Sequence, residues 1–240
     1  MTAATGDRLI AVDWLRTLAL VHMVAFHFLF DLRLYGLLAP DTLGPWFALW
    51  AKGIAGSFLF LAGLSLWLAH GTVFRVRGFL TRLAVLVAAA AAVSLATYVA
   101  VPGAWVRFGI LHSIALASVL ALPILRAPWW LTAVGAVVVL AVLPMLRSEA
   151  LGGVWWLWSG LGAGPTPPMI DYEPMVPWLA PLLAGLAFGQ AGGARLLRWR
   201  IPRVRWAERL AWPGRHTLAI YLIHQPVLIG LILGSVWLTG

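Results

Sequence analysis

Apolar positions fall along the chain in long uncharged blocks. They occupy 53–74, 83–106, 108–125, 127–146, 175–194 and 216–240, each close to or above the roughly 18–20 residues that cross a hydrocarbon core. These blocks predict six membrane spans. A seventh is read over 11–33, although its uncharged stretch, Thr17 to Phe30, is short and bracketed by Asp13, Arg16 and Asp31. The expected architecture is an all-α integral membrane protein, a single bundle of about seven transmembrane helices forming one domain over 1–240. Acidic and basic residues interrupt the amino-terminal apolar region and no small-residue cleavage site follows it, so the first helix is read as retained rather than as a cleavable signal.

Between the blocks, two segments stand out. Residues 147–174 alternate Gly, Pro and Trp with Asp171 and Glu173, and the run Pro165 to Pro168 argues against a regular helix there. Residues 195–215 carry seven arginines interleaved with Trp199, Trp206 and Trp212. That segment reads either as a topology anchor on anionic headgroups or as an attractor for a phosphorylated cytosolic ligand, because guanidinium groups pair with phosphate in a bidentate way. Gly185 and Gly189 form a small-xxx-small pair suited to close helix packing. Tryptophans gather at the span ends, among them Trp46, Trp50, Trp105, Trp129, Trp130, Trp155, Trp156 and Trp178, as an interfacial belt would.

Composition supports the membrane reading. With 62% of 240 residues hydrophobic and 10% charged, a soluble domain could not cover its own surface. The net charge of +9 suggests nucleic acid only until the charges are sorted by loop. With a cytoplasmic amino end, Arg8, Arg75, Arg77, Arg82, Arg126, Arg195, Arg198, Arg200, Arg203, Arg205, Arg209 and Arg215 fall on one side. Arg33, Arg107 and Arg147 fall on the other, with Asp41, Glu149, Asp171 and Glu173. This positive-inside bias predicts an internal amino end and an external carboxyl end, and no nucleic-acid partner. The absence of cysteine excludes disulfide frameworks and thiolate metal sites.

The first helix carries the candidate chemistry. At 100° per residue, Asp13, Arg16, His27 and Asp31 share a face within about 60°, while His22 points away. Arg16 and His27 are about 16 Å apart along the axis. Asp or Arg near a helix centre costs roughly 2.5–3.5 kcal/mol on the insertion scale, so such groups face protein or water and mark function. Asp13 and Arg16, three residues apart, suit an ion pair, either structural or ligand-binding. His27 and Asp31, four apart, suit a histidine base oriented by a carboxylate. Lys52 and Ser57 on the second span, His112 on the fourth and His224 on the seventh are further polar groups that either join this site or serve packing and snorkelling. His70 and His216, at span ends, are expected to be solvated. The matched histidine pairs of a bis-histidine haem protein are not present, and no metal site is expected.

The segment Arg8-Leu-Ile-Ala-Val-Asp13-Trp-Leu-Arg16-Thr-Leu-Ala, followed by Met23-Val-Ala-Phe-His27-Phe and Asp31-Leu, resembles the opening of the bacterial relatives of heparan-alpha-glucosaminide N-acetyltransferase. Ser57-Phe-Leu-Phe-Leu-Ala-Gly63, Phe108-Gly-Ile-Leu-His112, Pro177-Trp-Leu and Gly214-Arg-His-Thr-Leu-Ala-Ile-Tyr-Leu-Ile-His224-Gln-Pro226 extend the likeness over nearly the whole chain. Arg16, ten residues, then His27 is also similar to the arginine-to-histidine motif of the acyltransferase-three membrane proteins, with Thr17 standing where that motif has glycine. The resemblance implies cytosolic acetyl-CoA as cosubstrate, a bacterial inner-membrane location and a sugar or glycan hydroxyl or amine as acceptor on the far side. It makes His27 the catalytic histidine, with Asp31 beside it. By the same resemblance Arg16 holds or positions the acyl donor; Asp13, Arg75 and Arg77 are expected with it as the donor-binding set, and the polar groups His112, Lys52, Ser57 and His224 as the secondary set.

Two other classes remain open at this level. A transporter or proton-coupled carrier would also keep charged groups inside a bundle, although paired repeats with broken helices are not evident. An assembly protein would use the polar face to hold a partner helix. Oligomeric state is open.

Overall fold

The computed structural model describes residues 9–193 and 204–239. Arg8, Arg195, Arg198, Trp199, Arg200 and Arg203 lie outside the described residues, as does the side chain of Asp41. The protein is all-α, with no strand among the described residues. Its helices are α1 (Ile10–Leu34), α2 (Trp46–His70), α3 (Val76–Ala100), α4 (Ile110–Leu120), α5 (Trp129–Val137), α6 (Met175–Gln190), α7 (Arg205–Arg215) and α8 (Thr217–Thr239).

Five helical segments are long and apolar enough to cross a membrane: Ile10–Leu34, Trp46–His70, Val76–Ala100, Trp129–Leu146 and Thr217–Leu238. The predicted spans at 108–125 and 175–194 are realised as shorter apolar helices of 11 and 16 residues. Proline explains much of the shortening. Pro123 has no N–H to continue the ladder and disfavours helical backbone at Leu122, so α4 stops at Leu120 and a 3-10 turn follows. Pro144 acts similarly beyond α5, where the chain passes through a π turn at Val138–Val142 and a 3-10 turn at Leu143–Leu146. At the start of α6, Val176 is non-helical ahead of Pro177; at its end, Gly192 takes φ +84°, the left-handed conformation common after a helix C-terminus.

The chain divides into two compact units, the described residues of 1–58 with 195–240, and those of 59–194. In the first unit, α1 packs against both α7 and α8. Asp13 meets Arg215, two residues ahead of α8, and further along α1 His27 meets His224 and Asp31 meets Gln225, so α1 and α8 run parallel. The second unit holds a core that includes Leu59, Leu66, Phe79, Ala117, Leu182 and Leu186. There α2 and α6 cross with backbones in contact: a Cβ on Gly63 would collide with the Leu182 carbonyl, and one on Gly185 with the Phe60 carbonyl. Gly189 meets the Trp67 ring. The small-residue spacing at 185 and 189 thus serves close packing.

Residues 147–174 form an irregular loop carrying two 3-10 turns, Glu149–Leu151 and Val154–Trp156, with isolated bridges from Ser148 to Gly162 and from Tyr172 to Phe108. His70, expected to be solvated, is 4% exposed. Its Nδ1 accepts the Arg75 N–H at 3.4 Å and its ring packs on Phe74 and Phe79, so it closes the turn between α2 and α3. His216 is exposed.

Candidate active site

The polar face of α1 meets two different neighbours. At its amino-terminal end, Asp13 is 1% exposed and accepts hydrogen bonds from Arg16 Nη1 at 3.2 Å and from Arg215 Nε at 3.3 Å. Arg215 also reaches Glu208 at 2.5 Å. The bond to Glu208, then that to Asp13, raise its pKa further above the ordinary arginine range, securing its charge. Arg16 keeps 25% of its side chain exposed. Its i,i+3 spacing produced the predicted pair, but a second cation completes it.

The same end of α1 is stitched to α7 by neutral groups. Thr17 Oγ1 meets the Leu210 and Asp13 carbonyls at 2.8 and 3.1 Å, and it accepts the Gly214 N–H at 2.9 Å. Trp14 Nε1 donates to the Ala207 carbonyl at 3.0 Å and its ring stacks on Trp206. Gly214 lies so close to Asp13 that a Cβ would fall on the Asp13 carbonyl oxygen. A glycine at position 17 would supply none of these bonds, which gives a physical reason for threonine at this departure from the acyltransferase-three motif.

Seventeen residues into a helix rising about 1.5 Å per residue, the face of α1 turns to α8. His27 and His224 have ring centroids 5.0 Å apart, tilted by 59°. His224 is 9% exposed, and its Nδ1 lies 2.6 Å from the Tyr221 carbonyl. A carbonyl only accepts, so Nδ1 carries the proton and Nε2 of the neutral ring is the lone-pair nitrogen. His27 Nδ1 and His224 Nε2 are both buried without a hydrogen-bond partner among the described residues. Phe26 sets its edge against the His27 ring, and Phe47 stacks on Phe26 at 4.3 Å.

Asp31 is fully buried, and Gln225 Nε2 lies 2.8 and 3.0 Å from its two oxygens. The expected His27–Asp31 pairing is therefore corrected: an amide on α8 takes the carboxylate, and His27 faces a second histidine. His224 and Gln225, adjacent on α8, come just ahead of Pro226, whose missing N–H leaves the Leu222 carbonyl without its helical donor. Gln225 Oε1 is a third buried polar atom lacking a partner.

The secondary candidates are placed differently. Lys52 is exposed, and Ser57 Oγ donates to the Ile54 carbonyl of its own helix at 2.7 Å. His112 belongs to the second unit. Its Nδ1 accepts the Gly109 N–H at 3.3 Å, so its Nε2 carries the proton and meets Ser94 Oγ at 3.3 Å. Ser94 in turn donates to the Val106 carbonyl at 2.7 Å. Arg75 and Arg77 are exposed at the start of α3, also in the second unit. His22 points away from the polar face, as its helical angle requires, and accepts from Trp50 Nε1 at 3.1 Å.

Outside the spans, Asp171 accepts the Ile110 N–H at 3.0 Å at the amino end of α4, and burial pushes its carboxyl up to about 6. Sequence reasoning missed Gln225 and Arg215 as members of the polar clusters. Gln225 had a usable signal as a polar residue inside an apolar run beside His224, whereas Arg215 had been absorbed into the loop-charge pattern.

Apolar helices that bury one histidine and a carboxylate, with a second histidine and an amide half-buried beside them, define a multi-pass membrane protein with a polar intramembrane centre. The catalytic-region model for heparan-alpha-glucosaminide N-acetyltransferase matches residues 8–226, and the chain belongs to that family of membrane acetyltransferases. Among curated proteins and solved structures, no match was found.

Proposed function

We propose that the protein transfers an acetyl group from cytosolic acetyl-CoA to a hydroxyl or amine of a sugar or glycan acceptor on the opposite side of the membrane. The carrying observation is the polar cluster on α1 and α8, with Asp31 and His224 buried and His27 and Gln225 half-buried beside them, in a member of this family. Burying such groups without partners is costly in a helix bundle and is retained where chemistry uses them. Three of their polar atoms have no partner, leaving hydrogen-bonding capacity for a reacting group.

In this reading His27 acts on the acceptor as a general base or carries the acetyl group transiently. Asp31 and Gln225 fix the wall beside it. Arg16, aligned by Asp13, binds the donor at the other end of the same face. The site is accordingly extended along α1, donor at the amino-terminal end and chemistry further across. A bacterial inner membrane, with the amino end cytoplasmic, suits this direction.

His27→Ala is expected to lower acetyl transfer from labelled acetyl-CoA by about 10²- to 10⁴-fold with the bundle intact. Purified protein in liposomes measures the rate, and circular dichroism with thermal melting measures the fold. Unchanged transfer in a folded variant removes His27 from the mechanism. Arg16→Ala is expected to raise the Michaelis constant for acetyl-CoA, with the binding heat reduced in calorimetry; normal donor binding would restrict Arg16 to the α1–α7 contact. Uptake of a sugar without any acyl donor would instead favour a carrier.

A further inference from the structure

We infer that His224 is a second catalytic histidine, the base that takes the proton of the acceptor. The inference rests on the acetyltransferase reading and assigns a role within it. Three observations carry it. The Nδ1 contact with the Tyr221 carbonyl fixes the neutral tautomer, so Nε2 is the basic nitrogen before any substrate arrives. That Nε2 is buried and has no hydrogen-bond partner among the described residues. The ring lies 5.0 Å, centroid to centroid, from His27, whose Nδ1 is likewise buried and unpartnered.

His112 supplies the contrast within the same chain. Both of its ring nitrogens are engaged, one by the Gly109 N–H and the other by Ser94 Oγ, so it holds backbone in place and has no basic nitrogen to offer. His224 has one nitrogen engaged, which sets the tautomer, and leaves the other available. An imidazole held this way meets the geometric requirement for a general base, a fixed lone pair within reach of a proton.

The charged groups around the ring narrow the alternatives. On α1 the nearby ionisable groups are His27 and Asp31, and the Asp31 carboxylate is engaged by Gln225. On α8 itself, the Tyr221 ring lies 5.7 Å away, tilted by 49°, and its carbonyl accepts the Nδ1 hydrogen bond. Of these groups, the two histidines carry the unpartnered ring nitrogens, and only His224 has its tautomer set by a backbone carbonyl.

The step balances as follows. The acceptor oxygen or nitrogen forms a bond to the acetyl carbon, and its proton passes to His224 Nε2. The bond from that carbon to the leaving atom breaks. In direct transfer the leaving atom is the sulfur of CoA, which receives the proton as a thiol. If His27 carries the acetyl group, its ring nitrogen first displaces CoA, whose sulfur takes the His27 ring proton and leaves as the thiol; in the second step the leaving atom is that His27 nitrogen, which is reprotonated by His224. Both routes use His224 as the base, so His27, in place of a base role of its own, holds the acetyl carbonyl in direct transfer or carries the acetyl group in the two-step route. Neither route requires an oxidant or reductant.

The test uses full-length protein in liposomes, labelled acetyl-CoA as donor and glucosamine as acceptor. His224→Gln retains an amide able to bond the Tyr221 carbonyl and is expected to lower kcat by about 10²-fold or more, with the KM for acetyl-CoA within about twofold of wild type. His224→Ala is expected to recover activity when imidazoles of similar size are added, the more basic ones recovering more. A kcat for His224→Gln within about twofold of wild type would overturn the assignment, as would rescue of His224→Ala that ignores imidazole basicity. If His224→Gln fails to fold, the imidazole series on His224→Ala decides alone. Failure of the parent reading looks different: wild-type protein would then neither bind acetyl-CoA nor transfer acetyl.

Discussion

His112 and His224 both interrupt apolar runs, yet their ring nitrogens meet opposite circumstances. The difference is set by neighbours far away in sequence: Ser94 sits eighteen residues before His112, whereas the partner ring of His224 comes from α1. Local pattern could therefore name both as candidates and could not separate them. His112→Ala is expected to cost about 0.5–2 kcal/mol of stability through loss of the bond to the Gly109 N–H, with transfer per folded molecule within about twofold of wild type. Denaturant or thermal melts alongside the transfer assay check both halves. Asp171 gives a pH prediction. Its folded pKa of about 6 lies above the usual carboxylate value, so the folded state binds its proton more tightly. The stability it contributes is full below the unfolded pKa and is lost as pH rises through about 6. Melting temperatures in detergent between about pH 4 and about pH 7 are expected to show this decline in wild type and less of it in Asp171→Asn.

Among the elements, α1 was readable to a useful degree, because its face angle follows from helix geometry alone. Asp13 and Arg16 pair as their spacing requires, and His22 turns away. The partner of Asp31 was not readable, since it depends on the register of α8 against α1. Lipid-scale hydropathy also could not place α7, whose Ala207, Ala211 and Gly214 pack inward while Trp206, Arg209, Leu210 and Trp212 stay exposed. The contact at Gly214 leaves no room for a methyl group. Gly214→Ala is expected to destabilise the α1–α7 contact by about 1–3 kcal/mol, the usual range for overpacking, and to lower the melting temperature. An unchanged melt would mean that the two helices can separate without cost. Gly185→Ala is expected to do the same to the α2–α6 crossing in the second unit.

For the molecule as a whole, the all-α membrane class followed from hydropathy because a long apolar block has few alternatives in water. Run length overestimated α4 and α6, where Pro123 and the turn at Ala191–Gly192 end the helices. The parallel course of α1 and α8 brings residues 27 and 224 together, a pairing that only the three-dimensional structure supplies. The central claim is directional: the donor binds at the amino-terminal end of α1, and the acetyl group reaches an acceptor on the other side. Sealed liposomes with labelled acetyl-CoA confined to one side and glucosamine to the other test it most directly. Acetylated glucosamine is expected to accumulate across the bilayer with wild type, and to fall about 10²-fold or more with His27→Ala. Product formed only when donor and acceptor share a compartment, or formed equally by the variant, would contradict the claim.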